Sequence, residues 1–237
     1  MKEIVMDRGN LLLVHGAWHG SWCWDLLVPE LAARGWTPSV VGLPSASGSP
    51  SAGVREDAEA VREAIDALDG PVTVLAHSYG GVPVGEGAEA ADRLIYLAAH
   101  LLEPGESVVS PLGGAWYEPG TKLLDVPEPA RDLLFADVPD EHAAWAVERL
   151  RPQSAWSFEE PVTAAAWQSV PTTSIVCAED VAFPSLFADR LRARGALELP
   201  GSHSPFPGTA RSARRADHSR MIANVTSIST FTPSSAM

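Results

Sequence analysis

Apolar positions along this chain follow two periods that take turns. "NLLLVHGAW" (residues 10–18) is a short apolar run that stops near a glycine, the pattern of a strand buried on both faces. "WDLLVPELAARG" then shows helical spacing and stops at Gly35. "WTPSVVGLP" reads as a second strand. "REDAEAVREAIDALDG" is an amphipathic helix with Ala58, Val61, Ile65 and Leu68 on one stripe. "PVTVLAHS" gives a third strand and "RLIYLAAHL" a fourth. Strand and helix alternate, which predicts an α/β fold on a parallel sheet.

The alternation breaks near Glu103. From there to about Gln168 no strand is evident, proline is frequent, and Trp116, Trp145, Trp156 and Trp167 fall close together. It resumes with "PTTSIVCAED", the helix "SLFADRLRARG" and the short strand "ALELPGSH". The expectation is one domain over 1–237, with a mainly helical insertion at about 103–168 acting as a lid. After Phe206 the pattern fades. Four arginines crowd into 211–220 and a Ser/Thr-rich stretch closes the chain. Met221, Ile222, Val225 and Ile228 form at best a weak stripe, so 208–237 is expected to be a loose tail that adds little to any site.

Composition narrows the class. The formal charge of −13 on 237 residues argues against a nucleic-acid partner or an anionic membrane surface, both of which need a basic face. The start carries no signal-like apolar stretch and no transmembrane run follows, so a cytoplasmic protein is expected. Cys23 and Cys177 each sit beside apolar residues and read as buried free thiols. No Cys/His spacing suggests a metal.

The chemistry centres on "VTVLAHSYGG" (residues 72–81), where a strand runs into Ser78 and then a glycine pair. A nucleophile elbow needs small residues two before and two after the serine, because its tight turn brings backbone against backbone. Ala76 and Gly80 supply them, with alanine in place of the usual first glycine. In this architecture an acid and then a histidine follow the serine in chain order, at the ends of later strands. Asp180 follows "SIVCAE" and His203 follows "LELPGS". Glu179 and Glu103 are rival acids, and His218, in the irregular tail, is a rival base. An oxyanion hole needs two backbone N–H groups. Tyr79 offers one, and the loop "HGAWHG" offers the other at Ala17. His15 is expected to brace that loop. His19 reads as loop support or pocket wall, and His100 as a substrate contact or a structural histidine. Of the four middle tryptophans, one or two are expected to face the pocket, with Trp116 and Trp156 the candidates.

These segments together resemble the α/β-hydrolase superfamily, and within it the plant methylesterase and hydroxynitrile lyase branch with its bacterial esterase relatives. The resemblance runs from about Leu11 to Phe206. "LLLVHGAWHGSWCWDLLVPELAARGW" is similar to the family's opening, "LAHSYGG" to its elbow and "YLAAHLLEPGES" to the segment after the next strand. "RLRPQSAW" resembles a lid stretch, and "SIVCAEDVAFP" and "LPGSHSPF" the acid and histidine segments. The resemblance implies a Ser78–Asp180–His203 triad, an oxyanion hole at Ala17 and Tyr79, and no cofactor. Lyases of the branch carry a lysine just after the histidine and a threonine in the first loop. Here Ser204 and Gly16–Ala17 stand there, which favours an esterase. The implied activity is hydrolysis of a small, apolar or aromatic carboxylic ester through an acyl-enzyme. The same triad also suits a lactonase, a thioesterase, or a lyase or cyclase acting on a polyketide-like metabolite; a receptor-like binding role is less favoured. The family's closing helix is not recognisable, so a monomer and a homodimer both stay open.

Overall fold

In the computed structural model, which describes residues 8–204, the elements alternate along the chain. They run β1 (Asn10–Val14), α1 (Val28–Ala32), β2 (Thr37–Val41), α2 (Val54–Asp66), β3 (Val72–His77), α3 (Gly81–Gly87) and β4 (Arg93–Leu97). An intervening stretch holds β5 (Leu123–Leu124), α4 (Ala130–Leu134), α5 (Asp140–Val147), β6 (Gln153–Ser154) and α6 (Trp156–Glu159). Then come β7 (Thr172–Cys177), α7 (Ser185–Ala193) and β8 (Leu197–Leu199). Six strands form one sheet in the order β2-β1-β3-β4-β7-β8, and every pairing in it is parallel.

Side-chain parity explains why the central strands read as unbroken apolar runs. Neighbouring residues of a strand point to opposite faces. On β1, Leu11 and Leu13 pack with Trp24, Leu27, Leu31 and Trp36, while Leu12 and Val14 join Val61, Ile65 and Val84 on the other side. The stripe of α2 supplies Ala58, Val61 and Ile65, all buried. Both cysteines are buried free thiols. Among the described residues, no helix is long and apolar enough to cross a membrane.

Two local expectations change. The helix read over 24–35 is confined to the short α1, and a 3₁₀ turn at Ser21–Trp24 precedes it. Pro29 has no N–H to give, so it is accommodated only in a first turn, and α1 begins just before it. The stretch read as strand-free contains the antiparallel pair β5–β6, too short to leave a periodicity. Between them, α4 and α5 bury a small core of their own, with Leu134, Phe135, Val138, Ala143 and Ala146 at its centre. This stretch is tied to the β1 loop through Trp18. Its backbone N–H donates to the Gln153 side chain (3.3 Å), its indole to the Leu124 carbonyl (3.2 Å), and its carbonyl accepts from the Arg151 N–H (2.9 Å). The expected loose tail at 208–237, and His218 within it, lie outside the described residues.

Candidate active site

Ser78 stands directly after β3, in a left-handed backbone conformation (φ 53°) that costs a residue bearing a side chain. The turn persists because nothing around it has room for an alternative. A Cβ on Gly80 would lie 2.5 Å from the His15 carbonyl oxygen and 2.9 Å from that of Val14. A Cβ on Gly16 would lie 2.8 Å from the Ser78 Cβ. The elbow and the β1 loop therefore touch backbone to backbone, as the flanking small residues foretell. Gly80→Ala is expected to destabilise the fold by about 1–3 kcal/mol or more, since the clash is with main chain that cannot rotate away. A thermal melt that does not shift would contradict this packing.

Asp180 and His203 come from neighbouring strand ends. Past the strands, the Ala178 N–H donates to the Leu199 carbonyl (2.8 Å) and the Glu179 N–H to that of Gly201 (3.1 Å), extending the β7–β8 ladder. Glu179 turns its carboxylate to the Gly201 N–H, away from the histidine. His203 Nδ1 lies 2.8 Å from Asp180 Oδ2, and its Nε2 lies 2.9 Å from Ser78 Oγ. The other carboxylate oxygen of Asp180 accepts the N–H groups of Ala182 and Phe183, each at 2.9 Å. Burial alone would raise the Asp180 carboxyl, but attraction to His203 and these hydrogen bonds outweigh it and hold it below its ordinary value. The rival Glu103 sits elsewhere, accepting from Gln168 (2.8 Å) and Arg194 (3.1 Å).

Ser78 and His203 line a cavity of about 280 Å³, with Asp180 behind the histidine. Ala17 and Tyr79 are on its wall beside Ser78 and His203, and most of the rest is apolar, including Val108, Leu112, Leu133, Phe158 and Phe183. Trp116 lines it with much of its ring exposed. His100 lines it too, its ring gripped edge-on by Phe183 (5.0 Å) and Phe187 (4.6 Å) and its backbone N–H on the Ser78 carbonyl (3.0 Å). Two expected wall residues lie off it. His19 is buried behind the loop, stacked on Trp22, and Nδ1 donates to the Ala17 carbonyl (2.7 Å). Trp156, at the start of α6, is half exposed with its ring against Gly53, the residue before α2. His15 braces the loop, donating from Nδ1 to Gly16 (2.9 Å) and accepting the Leu43 N–H at Nε2 (3.1 Å). Sequence reasoning passed over His77, whose Nε2 donates to the His203 carbonyl (2.9 Å) and so anchors the loop carrying His203. It also passed over Asp57, buried on α2 beneath Tyr79. No spacing rule marks either one. Among the described residues, no group of acidic, histidine or cysteine side chains is placed to hold a metal ion.

Four buried histidines carry a pH consequence. Burial pushes His15 and His100 down to about 4 and His19 to about 3, and it lowers His77 well below the usual range. Each is neutral when folded but takes a proton when unfolded below about pH 6.5. Their contribution is thus complete above that pH and is lost as pH falls from 6.5 towards 4. By pH 5.5 each costs about 1.4 kcal/mol, roughly 5–6 together, out of a total stability of about 5–15 kcal/mol. Asp57 acts the other way: burial raises it to about 6, so acid relieves a buried charge worth about 1 kcal/mol. Urea midpoints at pH 7.5 and 5.5 should therefore differ clearly, the lower pH being the weaker. Equal midpoints would refute the assignment of neutral buried imidazoles.

A model of the alpha/beta hydrolase family matches residues 11–218, and the chain belongs to that family. It is 30% identical over 214 residues to the alpha/beta hydrolase nvfD of Aspergillus novofumigatus, covering 80% of this chain and 85% of that one. It is 30% identical over 213 residues to the pFDCC methylesterase MES16 of Arabidopsis thaliana, covering 77% and 80%. The solved structure of the MES16 methylesterase superposes with a TM-score of 0.73 at 24% identity, covering 94% of this chain and 99% of that one, a likeness of fold.

Proposed function

We propose that this protein is a serine-dependent carboxylic ester hydrolase acting on a small, neutral, largely apolar ester. The observation that carries the reading is the Ser78–His203–Asp180 chain of hydrogen bonds, at 2.9 and 2.8 Å, opening on an apolar cavity. Ionised Asp180 only accepts, so Nδ1 of His203 holds the proton and Nε2 presents a lone pair to the Ser78 hydroxyl. His203 takes that proton as Oγ attacks the carbonyl carbon, and the imidazolium formed is stabilised by Asp180. The Ala17 and Tyr79 N–H groups receive the oxyanion. Collapse expels the alcohol, protonated by His203, and water activated by the same histidine releases the acid. The stretch at about 103–168 serves as the lid, since it supplies Val108, Trp116, Leu133 and Phe158 to the cavity. Relatives named as esterases, among them the carbendazim hydrolyzing esterase of a Nocardioides species and MES16, support the class of reaction. An aryl phosphonate should add one mass adduct at Ser78 in the purified protein and block turnover of p-nitrophenyl esters. Full turnover by a protein with no adduct would overturn the reading.

A further inference from the structure

Beneath the nucleophile lies a buried polar cluster that the mechanism above does not use. Asp57, on α2, is wholly buried. Its carboxylate accepts the Ser45 N–H (2.9 Å), the Ser45 hydroxyl and the Tyr79 phenol (2.7 Å). The Ser45 oxygen accepts in turn from the Gln153 amide (2.7 Å), which also donates to Ser157 (2.8 Å). Gln153 Oε1 accepts the backbone N–H of Trp18 (3.3 Å). Asp57, Ser45, Gln153 and Ser157 have no exposed surface, and Tyr79 almost none.

The two ends of this cluster are the two sides of the oxyanion hole. Tyr79, whose N–H is one donor, is fixed through its phenol to Asp57. Its ring lies flat on Phe158 of the cavity wall (5.5 Å, planes 7° apart). On the other side, the Ala17 N–H belongs to the Gly16–Ala17 peptide, whose carbonyl accepts from His15 (2.9 Å), and the peptide that follows, joining Ala17 to Trp18, is held at both ends. Its carbonyl accepts from His19 (2.7 Å), and its N–H goes to Gln153. Trp18 has φ 62°, a conformation uphill for a bulky residue, so this peptide needs outside bonds to keep its plane. A buried carboxylate is a poor way to add stability, because desolvation offsets much of the attraction, and apolar replacements of buried ions often fold as well or better. What it offers instead is direction: one group fixes three donors from two separate segments. Burial raises the Asp57 carboxyl only to about 6, which leaves it an acceptor at neutral pH.

We propose that Asp57 is a positioning residue for catalysis, holding the Ala17 and Tyr79 N–H groups at their working separation through Tyr79 on one side and Ser45–Gln153–Trp18 on the other. The proposal rests on the serine-hydrolase reading, and the two fail differently. If the reading is wrong, the wild-type protein takes no phosphonate at Ser78. If only the proposal is wrong, labelling is normal and the variants below turn over normally.

The test uses Tyr79→Phe, Asp57→Asn and the double variant in the full chain, with p-nitrophenyl butyrate as substrate. Loss of an oxyanion donor costs about 100–1,000-fold, so misalignment should cost about 10–100-fold in kcat with KM within about twofold. The double variant should fall no more than about threefold below the weaker single, since both substitutions break one linkage. Affinity for an aryl trifluoromethyl ketone, whose adduct places an oxyanion in the hole, should weaken by the same factor as kcat/KM. Should Asp57→Asn fail to fold, Tyr79→Phe, which removes a single oxygen, carries the test. Two outcomes overturn the proposal. One is kcat within about threefold of wild type in Tyr79→Phe, whatever the melting temperature. The other is single effects that multiply in the double variant.

Discussion

Ser78→Ala is expected to abolish ester turnover almost completely while the protein folds as before. The substitution deletes an oxygen that makes one hydrogen bond, to His203, at a site open to the cavity. No core volume is lost and no backbone bond depends on the side chain. Alanine still has to hold φ near 53°, which the Gly16 and Gly80 contacts already impose on the serine. Loss of a triad nucleophile typically costs about 10⁴–10⁶ in kcat, the remainder coming from the oxyanion donors and binding. Burst kinetics with a p-nitrophenyl ester measure both halves of the statement. The acyl burst should vanish, and the melting temperature should stay within a few degrees. Retention of more than about a tenth of wild-type turnover would mean that some other group attacks the ester.

Asp180→Asn should cost about 10⁴ in kcat at neutral pH, and the reason lies in hydrogen-bond polarity. One oxygen of Asp180 accepts two backbone N–H groups, from Ala182 and Phe183, so the amide NH₂ of asparagine cannot sit there. It must take the other place, facing His203 Nδ1. An N–H donor there forces Nδ1 to accept, which moves the histidine's proton to Nε2 and points it at Ser78. A histidine in that tautomer cannot take the serine's proton. Glu103→Gln should change kcat by less than about twofold, because Glu103 bonds Gln168 and Arg194 away from the cavity. Side-by-side kinetics in which Glu103→Gln is the crippled variant would transfer the role of the acid to the β4 end.

The sheet and the elbow were legible because their physics is local. A strand buried on both faces needs four or five consecutive apolar residues, and "LLLV" and "VTVLA" show them. A turn that brings β3 against β1 needs a methyl at most two residues before the serine and no side chain two after it, and Ala76 and Gly80 declare it. Asp180 and His203 could be placed because each follows a recognisable strand. Asp57 could not. Its carboxylate falls on the helix among Glu56, Glu59 and Glu63, and period alone does not separate a buried acid from solvated ones. The partners that reveal it, Ser45, Tyr79 and Gln153, are far apart in the chain. His19 stayed open between loop support and pocket wall for a related reason: beside the site, a histidine facing the cavity and one facing the loop's underside have the same sequence context. Trp156 likewise shares its proline-rich surroundings with Trp116, yet only Trp116 reaches the wall.

The Trp18 joint limits how this enzyme family member can be remodelled. Its backbone and indole meet Leu124, Arg151 and Gln153, contributed by β5, β6 and the residues just before β6. The stretch that shapes the cavity is thus also the stretch that steadies the β1 loop. Exchanging it wholesale for a foreign one, as in building chimaeras, discards those three contacts together with the old specificity. Point changes at Val108, Leu112 or Leu133 alter the wall without touching the joint. Substrate range in this scaffold is accordingly better explored one side chain at a time than by transplanting modules, and a graft that keeps residues 122–124 and 150–154 should outperform one that replaces them.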